Sequence, residues 1–298
     1  MRAKEKLRRI KILYIPLLKI RQVLKRFIIT IKFSFTKMNR NCENKELIIL
    51  GTGPSLKTDI SKIIAKRQSC FVMAVNSFTV DENFLSLKPE YYVLADPCYF
   101  SDSVAGIGKE DRDVFIKTIT GKLSWKMTVI LPEEGRESYL VKALADNSFI
   151  TFKFINGNCT YMPYFVNKFR AYNKNIAMPW VQNVLQMCLY FAILQHFPKI
   201  YLYGADHNWC KYIMVNNDNI VCIEENHCYE AEHHRFHAIE KVDGSYWTMG
   251  ELFEAWTKVY NGYYEINEYA NYNNVKIINC SSVSFIDAFE RGGGVFQL

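Results

Sequence analysis

Leu47-Ile48-Ile49-Leu50-Gly51-Thr52-Gly53-Pro54-Ser55-Leu56 decides the reading of this chain. An apolar run breaks into a loop holding two glycines, a proline and a serine. A buried strand that delivers its end to a ligand has this form: glycines let backbone approach closely, and loop amides can cradle phosphate. The stretch therefore predicts a nucleotide or phosphorylated substrate at the carboxyl end of a first parallel strand. It matches neither common phosphate loop. A Gly-x-Gly-x-x-Gly needs glycine where Leu56 stands, and a Walker loop needs Gly-Lys-Ser/Thr.

Outward from this loop, apolar runs alternate with helical stretches. Cys70–Val75 reads as a second strand ending at Asn76-Ser77-Phe78, Tyr91–Ala95 as a third ending at Asp96-Pro97, and Met127–Leu131 as a fourth. Thr58–Arg67 reads as a short helix capped by Thr58 or Asp59. Trp180–Phe197 reads as a long apolar helix, with His196 packed on it. Lys199–Tyr203 is a strand ending at Gly204-Ala205-Asp206-His207. Val275–Asn279 is the expected last strand, Ser281 and Ser282 at its end reach the crevice, and Ser284–Glu290 is the expected closing helix, its Ser284-x-x-Asp287 a helix-start pattern. This order predicts an α/β fold, an open and mostly parallel sheet with helices on both faces. Strand ends carrying Gly51, Gly53, Asn76, Asp96, Gly204, Asp206 and His207 would line one crevice, where such sheets bind ligands.

The 298 residues are 49% hydrophobic and carry a net charge of +7. The charge is uneven: residues 1–40 hold 13 Lys/Arg against the single acid Glu5, so the rest is mildly acidic. That argues against a general nucleic-acid surface on the body. Residues 1–40 read as a basic amphipathic segment for an anionic membrane surface, with Pro16 kinking it. Charges interrupt every apolar run before membrane-spanning length, and no small-residue cleavage site follows. Residues 41–298 form one expected domain, with a lid at about 208–250. Nine scattered cysteines without a Cys-x-x-Cys pair point to reduced thiols and a cytoplasmic setting.

Gly51-Thr52-Gly53-Pro54-Ser55-Leu56 resembles the Gly-x-Gly-Pro-Ser-Leu opening of the bacterial lipo-oligosaccharide sialyltransferases, glycosyltransferase family 42. It is also similar to the related MptE-like 6-hydroxymethylpterin diphosphokinase domains. In the sialyltransferases an Asn-Gln-Phe strand end is followed by Asn-Pro; here Asn76-Ser77-Phe78 is followed by Asp96-Pro97. Their Lys-x-Ile-Tyr-Leu-x-Gly-x-Asp strand is similar to Lys199-Ile200-Tyr201-Leu202-Tyr203-Gly204-Ala205-Asp206. The helix entrance Gln182-Asn183-Val184 is a weak counterpart of the family's Thr-Ser-Gly, and the arginine that precedes it is replaced at Met178-Pro179.

The sialyltransferase resemblance implies a Rossmann-like fold of the GT-A-variant type and inverting sugar transfer from a CMP-linked donor, with no essential metal and no cofactor. It implies that Gly51, Gly53, Pro54, Ser55 and Asn76 line the nucleotide pocket, and the strand-end reading adds Thr52, Ser77, Asp96, Asn183, Gly204, Asp206, Ser281 and Ser282 around the nucleotide. An aspartate at position 96 repels phosphate unless it is protonated or turned to a ribose hydroxyl. The acceptor would be a cell-surface glycan or lipid-linked precursor at the inner membrane face, with the enzyme peripheral on that face through residues 1–40. A homo-oligomer is compatible with the sequence.

Sugar transfer needs a base for the acceptor hydroxyl and stabilisation of the leaving phosphate. His227, in Glu224-Glu225-Asn226-His227-Cys228-Tyr229, and His207, beside Asp206, are the candidate bases, with Tyr229 as a phosphate donor. Cys222, His227, Cys228, His233, His234 and His237 offer zinc-ligand chemistry, but without paired cysteines. Asp111-Arg112-Asp113 has the form of a metal-binding Asp-x-Asp and equally that of a surface turn. Tyr246, Trp247, Phe253, Trp256, Tyr260, Tyr263 and Tyr264 read as helical core by spacing, with Trp209 and Trp247 able to stack on a sugar ring. Other readings are an MptE-like diphosphokinase using Mg2+ and ATP, with Asp96 and Asp206 as ligands, and a non-catalytic membrane-recruited nucleotide-binding protein.

Overall fold

The computed structural model describes residues 42, 44–101, 108–156, 167–175, 177–224, 236–241 and 244–292. Eight parallel strands form one sheet: β1 (Glu46–Leu50), β2 (Cys70–Val75), β3 (Tyr91–Val93), β4 (Met127–Pro132), β5 (Ile150–Ile155), β6 (Lys199–Tyr203), β10 (Lys276–Asn279) and β11 (Glu290–Arg291). Their spatial order is β11-β10-β6-β1-β2-β3-β4-β5. Three short antiparallel strands, β7 (Ile213–Val215), β8 (Val221–Ile223) and β9 (His237–Ala238), make a second, small sheet.

The period-2 alternation of a strand sorts the apolar residues onto two faces. Leu47 and Ile49 of β1 join Met73, Val75, Ile200 and Leu202 in one buried cluster, and Ile48 and Leu50 join Val72, Ala74, Tyr201 and Tyr203 in the other. Helix α1 (Ser55–Arg67) covers the second cluster with Leu56 and Ile63, and α2 (Gly108–Lys122) does so with Phe115 and Ile119. Helix α3 (Val184–Leu194) covers the first and is buried from Leu185 to Leu194. A helix apolar all round needs a second partner. This is α4 (Met249–Tyr272), which offers Val259, Tyr263, Ile266 and Ala270 at three- and four-residue spacing. Gln186 ties the two helices, accepting from the Gln182 amide at 2.7 Å and donating to the Val259 carbonyl at 2.7 Å.

Several boundaries differ from those expected. Helix α1 starts at Ser55, not near Thr58, and neither Thr58 nor Asp59 caps it. Helix α3 spans only Val184–Leu194. Asn183 is extended and caps its start, its Oδ1 accepting from the Gln186 amide at 3.0 Å. At the other end His196 takes a left-handed backbone, and the Phe197 and His196 amides bond back to Ala192 and Ile193. That Schellman geometry closes the helix before Phe197.

The expected closing helix at Ser284–Glu290 is absent. Ser284 Oγ donates to the Ala205 carbonyl at 2.6 Å, and Tyr264 donates to Asp287 at 2.7 Å. Both polar ends of the pattern are therefore committed to neighbouring elements, and the chain continues into β11. Val275–Asn279 is thus not the last strand, and β5 was not anticipated. Of the aromatic cluster only Tyr263 is fully buried, while Tyr246, Phe253 and Tyr264 are exposed. Among the described residues no helix is long and apolar enough to cross a membrane. Residues 1–40 lie outside the described residues.

Candidate functional site

From β1 the chain moves outward through β2 to β5 on one side, then returns to place β6 on the other. The β1/β6 boundary is a topological switch point, where adjacent connections leave in opposite directions and open a crevice. A cavity of about 470 Å³ lies there. Its walls include Gly51, Thr52, Gly53 and Pro54 after β1, Asn76 after β2, Asp96 after β3, Asn183 before α3, and Gly204, Asp206 and His207 after β6. Ten of the positions anticipated from sequence are thus brought together.

The glycine loop has a different use from the anticipated phosphate cradle. The Gly51 amide donates to the Tyr203 carbonyl at 2.8 Å, and the Gly53 amide donates to the Gly204 carbonyl at 2.9 Å. The Ser55 amide donates to Asp206 Oδ2 at 3.0 Å, and its hydroxyl donates to Asp206 Oδ1. These amides are therefore committed within the chain. The glycines are required because the two loops cross: a Cβ on Gly51 would collide with the Gly204 carbonyl oxygen, and one on Gly204 would lie 2.6 Å from the Gly51 oxygen. Gly204 also has φ of +65°, a glycine conformation.

Asp206 is the remote cap of α1. The helix has no side-chain cap of its own and no acid in its first turn, and the buried Asp206 carboxylate meets its positive end. Burial pushes the Asp206 carboxyl above its usual range, opposed by the two Ser55 bonds.

Ser55, Ser77, Ser281 and Ser282 are not among the cavity walls. Ser77 pairs with Tyr99 at 3.1 Å. Ser281 Oγ accepts from the Ala205 amide at 3.0 Å, and the Ser282 amide donates to Asp59 at 2.7 Å. The two C-terminal serines brace the β6 loop and α1 from behind, which corrects the expectation that they reach the crevice. His227 and Tyr229 lie outside the described residues, as do Cys228, His233 and His234. His237 is exposed on β9, and Cys222 is buried on β8. Among the described residues no group of three or more His, Cys, Asp or Glu could hold a metal ion.

His207 is 7% exposed and has φ of 49°. Histidine is among the residues enriched in this left-handed region. Tyr263 OH lies 2.7 Å from His207 Nε2, and Asn183 Nδ2 lies 3.3 Å from it. Trp209 packs against the ring at 4.3 Å between centroids with the planes tilted by 35°, and Tyr260 OH donates to the His207 carbonyl at 2.6 Å. Burial drives the imidazole pKa down to about 3, so the ring is neutral at physiological pH and a weak proton acceptor. The sequence placed His207 beside Asp206 as an oriented base. The Asp206 carboxylate is instead bonded to Ser55.

Asn76 also has a left-handed backbone, with φ of 47°. Tyr92 OH pins its carbonyl at 2.7 Å, and its side-chain Oδ1 has no hydrogen-bond partner among the described residues. Asp96 accepts from the Cys98 amide at 2.9 Å and caps the turn at Pro97–Tyr99. Asn208, Tyr212 and Glu224 are further walls that sequence reasoning missed. Asn208 directly follows the recognised strand end, whereas Tyr212 and Glu224 come from the small sheet region, which has no motif of its own. Asp96, Asp206 and Glu224 are the acids among the described walls, and no Lys or Arg stands with them.

The site and sheet define a Rossmann-like α/β protein with its crevice at the switch point. No family model matches the chain, and no curated protein matches it. Among solved structures the chain is similar to the MAf glycosyltransferase from Magnetospirillum magneticum AMB-1, at 14% identity and a TM-score of 0.47. The match covers 83% of this chain and 33% of that one, so this chain spans about a third of its length.

Proposed function

We propose that this chain is an inverting glycosyltransferase that takes a sugar from a CMP-linked donor. The observation that carries this reading is the cavity at the β1/β6 switch point, walled by the amides of Asn76, Asn183 and Asn208 without a Lys or Arg among its described walls. A CMP-linked donor brings one phosphodiester charge, which neutral hydrogen-bond donors can meet. A nucleoside diphosphate brings more charge into a site that already holds three acids.

In the transfer step the acceptor hydroxyl oxygen attacks the anomeric carbon. The bond from that carbon to the phosphate oxygen breaks, CMP leaves with the electron pair, and the hydroxyl proton passes to a base. The sequence candidates for that base are His227, which lies outside the described residues, and His207, whose buried neutral ring is a weak proton acceptor. The acceptor would be a surface glycan or its lipid-linked precursor, reached through residues 1–40 at an anionic membrane face.

The test is a thermal-shift series with CMP, UMP, UDP, GDP and ATP, each with and without Mg2+. CMP should stabilise the protein without Mg2+, by about 2.7 kcal/mol at a hundredfold excess over Kd. No response to CMP together with a Mg2+-dependent response to ATP refutes this reading in favour of an MptE-like diphosphokinase.

A further inference from the structure

We propose that Tyr263 and Asn183 lock His207 into the neutral Nδ1–H tautomer, so that the ring serves as a hydrogen-bond donor to the anionic oxygen of the bound nucleotide. The donor role rests on the nucleotide reading above; the tautomer does not.

The argument starts at the cap of α3. Asn183 Oδ1 accepts from the Gln186 amide at 3.0 Å, which fixes which end of the side-chain amide is oxygen. Its other end, Nδ2, therefore faces His207 Nε2 at 3.3 Å. An amide nitrogen only donates, so Nε2 must accept. Tyr263 OH lies 2.7 Å from Nε2 and within 3.2 Å of a second acceptor, Asn183 Oδ1; because Nε2 already accepts from Asn183, a hydroxyl turned to Oδ1 alone would set two lone pairs 2.7 Å apart, so the Tyr263 hydrogen goes to Nε2. With Nε2 holding two donors, the one proton of a neutral imidazole sits on Nδ1.

Nε2 thus points to the fully buried Tyr263, while His207 itself is a wall of the cavity. Among the described residues no hydrogen bond is made by Nδ1. The left-handed backbone at His207 is held by Tyr260, whose hydroxyl donates to the His207 carbonyl at 2.6 Å. Burial also keeps the ring uncharged. A buried neutral imidazole can polarise an oxygen by donation without ever becoming the proton acceptor. In a cavity whose described walls include no Lys or Arg, such neutral donors are what a phosphate would meet.

Tyr263 is a positioning residue in this scheme, and the test reads the tautomer directly. The protein is labelled with 15N-histidine, and two-bond proton–nitrogen correlations are recorded from pH 8 to pH 5. His207→Asn, a residue that tolerates the left-handed backbone, identifies the resonance. The expected result is a protonated Nδ1, an unprotonated Nε2 and no titration across that range. Adding CMP should move the Nδ1 resonance more than the Nε2 resonance. Tyr263→Phe, which removes only the hydroxyl, should let the Nε2–H tautomer appear.

A proton on Nε2 in the unaltered protein overturns the proposal. So does titration between pH 5 and 8, or CMP that raises Tm while Nδ1 stays unmoved. Should CMP fail to raise Tm at all, the CMP reading falls, whereas the ligand-free spectrum still decides the tautomer lock.

Discussion

Replacing Asp206 by Ala and by Asn separates what its carboxylate does from what its charge does. Ala removes the acceptors of two buried donors, the Ser55 amide and hydroxyl. Each orphaned buried donor costs about 1–3 kcal/mol. Losing the anion at the uncapped start of α1 adds about 0.3–1 kcal/mol. Against this, the carboxylate no longer has to be desolvated, a cost visible in its raised pKa. The net loss expected for Asp206→Ala is about 2–4 kcal/mol, a fall in Tm of roughly 5–15 °C for a domain of this size. Asn keeps both contacts, because its Oδ1 accepts from the Ser55 amide and its Nδ2 donates to a rotated Ser55 hydroxyl. It also avoids burying charge, so Asp206→Asn should stay within about 1 kcal/mol of the parent. Thermal denaturation of both variants, followed by circular dichroism, makes the comparison. Equal losses in the two variants would show that the charge matters rather than the acceptor geometry, and would sink this account of the loop.

Two further outcomes are expected. Gly51→Ala should lower stability by about 1–3 kcal/mol or more, because the new Cβ collides with a backbone oxygen that cannot rotate away; an unchanged Tm would mean the loops do not cross this closely. Acid should destabilise the protein through His207: its folded pKa is about 3 against an unfolded value of about 6.5. The unfolded chain therefore binds the extra proton first, and as pH falls from about 6.5 to 3 this group alone removes up to about 1.4 kcal/mol per pH unit. Asp206 acts in the opposite sense, since its raised folded pKa gives stability that is full below the unfolded carboxylate value and lost as pH rises through the folded one. His207→Asn should flatten the acid limb in urea titrations run between pH 7 and 4. An unchanged slope would mean the imidazole is not buried neutral.

The sheet was legible because its strands are buried on both faces. Leu47–Leu50, Cys70–Val75 and Ile200–Tyr203 are continuous apolar runs, and each ends at a turn residue close to where the strand ends. β5 was missed because it is an edge strand with exposed Thr151 and partly exposed Lys153 in its run. Helix ends were misread wherever a tertiary bond displaced the local signal. Ser284 Oγ does accept from the Ile286 amide at 3.2 Å as a cap would, but its bonds to the Ala205 carbonyl and Asn279 Nδ2 hold the segment to the ends of β6 and β10, and it continues into β11 without a helix. Ser55, three residues before the expected cap, begins α1 because an aspartate 151 positions away supplies the cap. No window of sequence around Ser55 contains that information.

The same displacement changes how a glycine loop after a strand should be weighed. In a phosphate-binding loop the amides stay unpaired inside the chain until an anion arrives. Here the amides of Gly51, Gly53 and Ser55 already have acceptors on the β6 loop, so the loop works as one half of a clasp. Closing the clasp sets Asp206 against α1 and turns the next residue, His207, the other way, onto Tyr263. Glycine at 51 and 204 is then a requirement of where His207 points. On this argument the backbone loop that first suggested the site serves to aim the side chains that wall the crevice at the switch point: Asn76 after β2, Asn183 before α3 and His207 after β6.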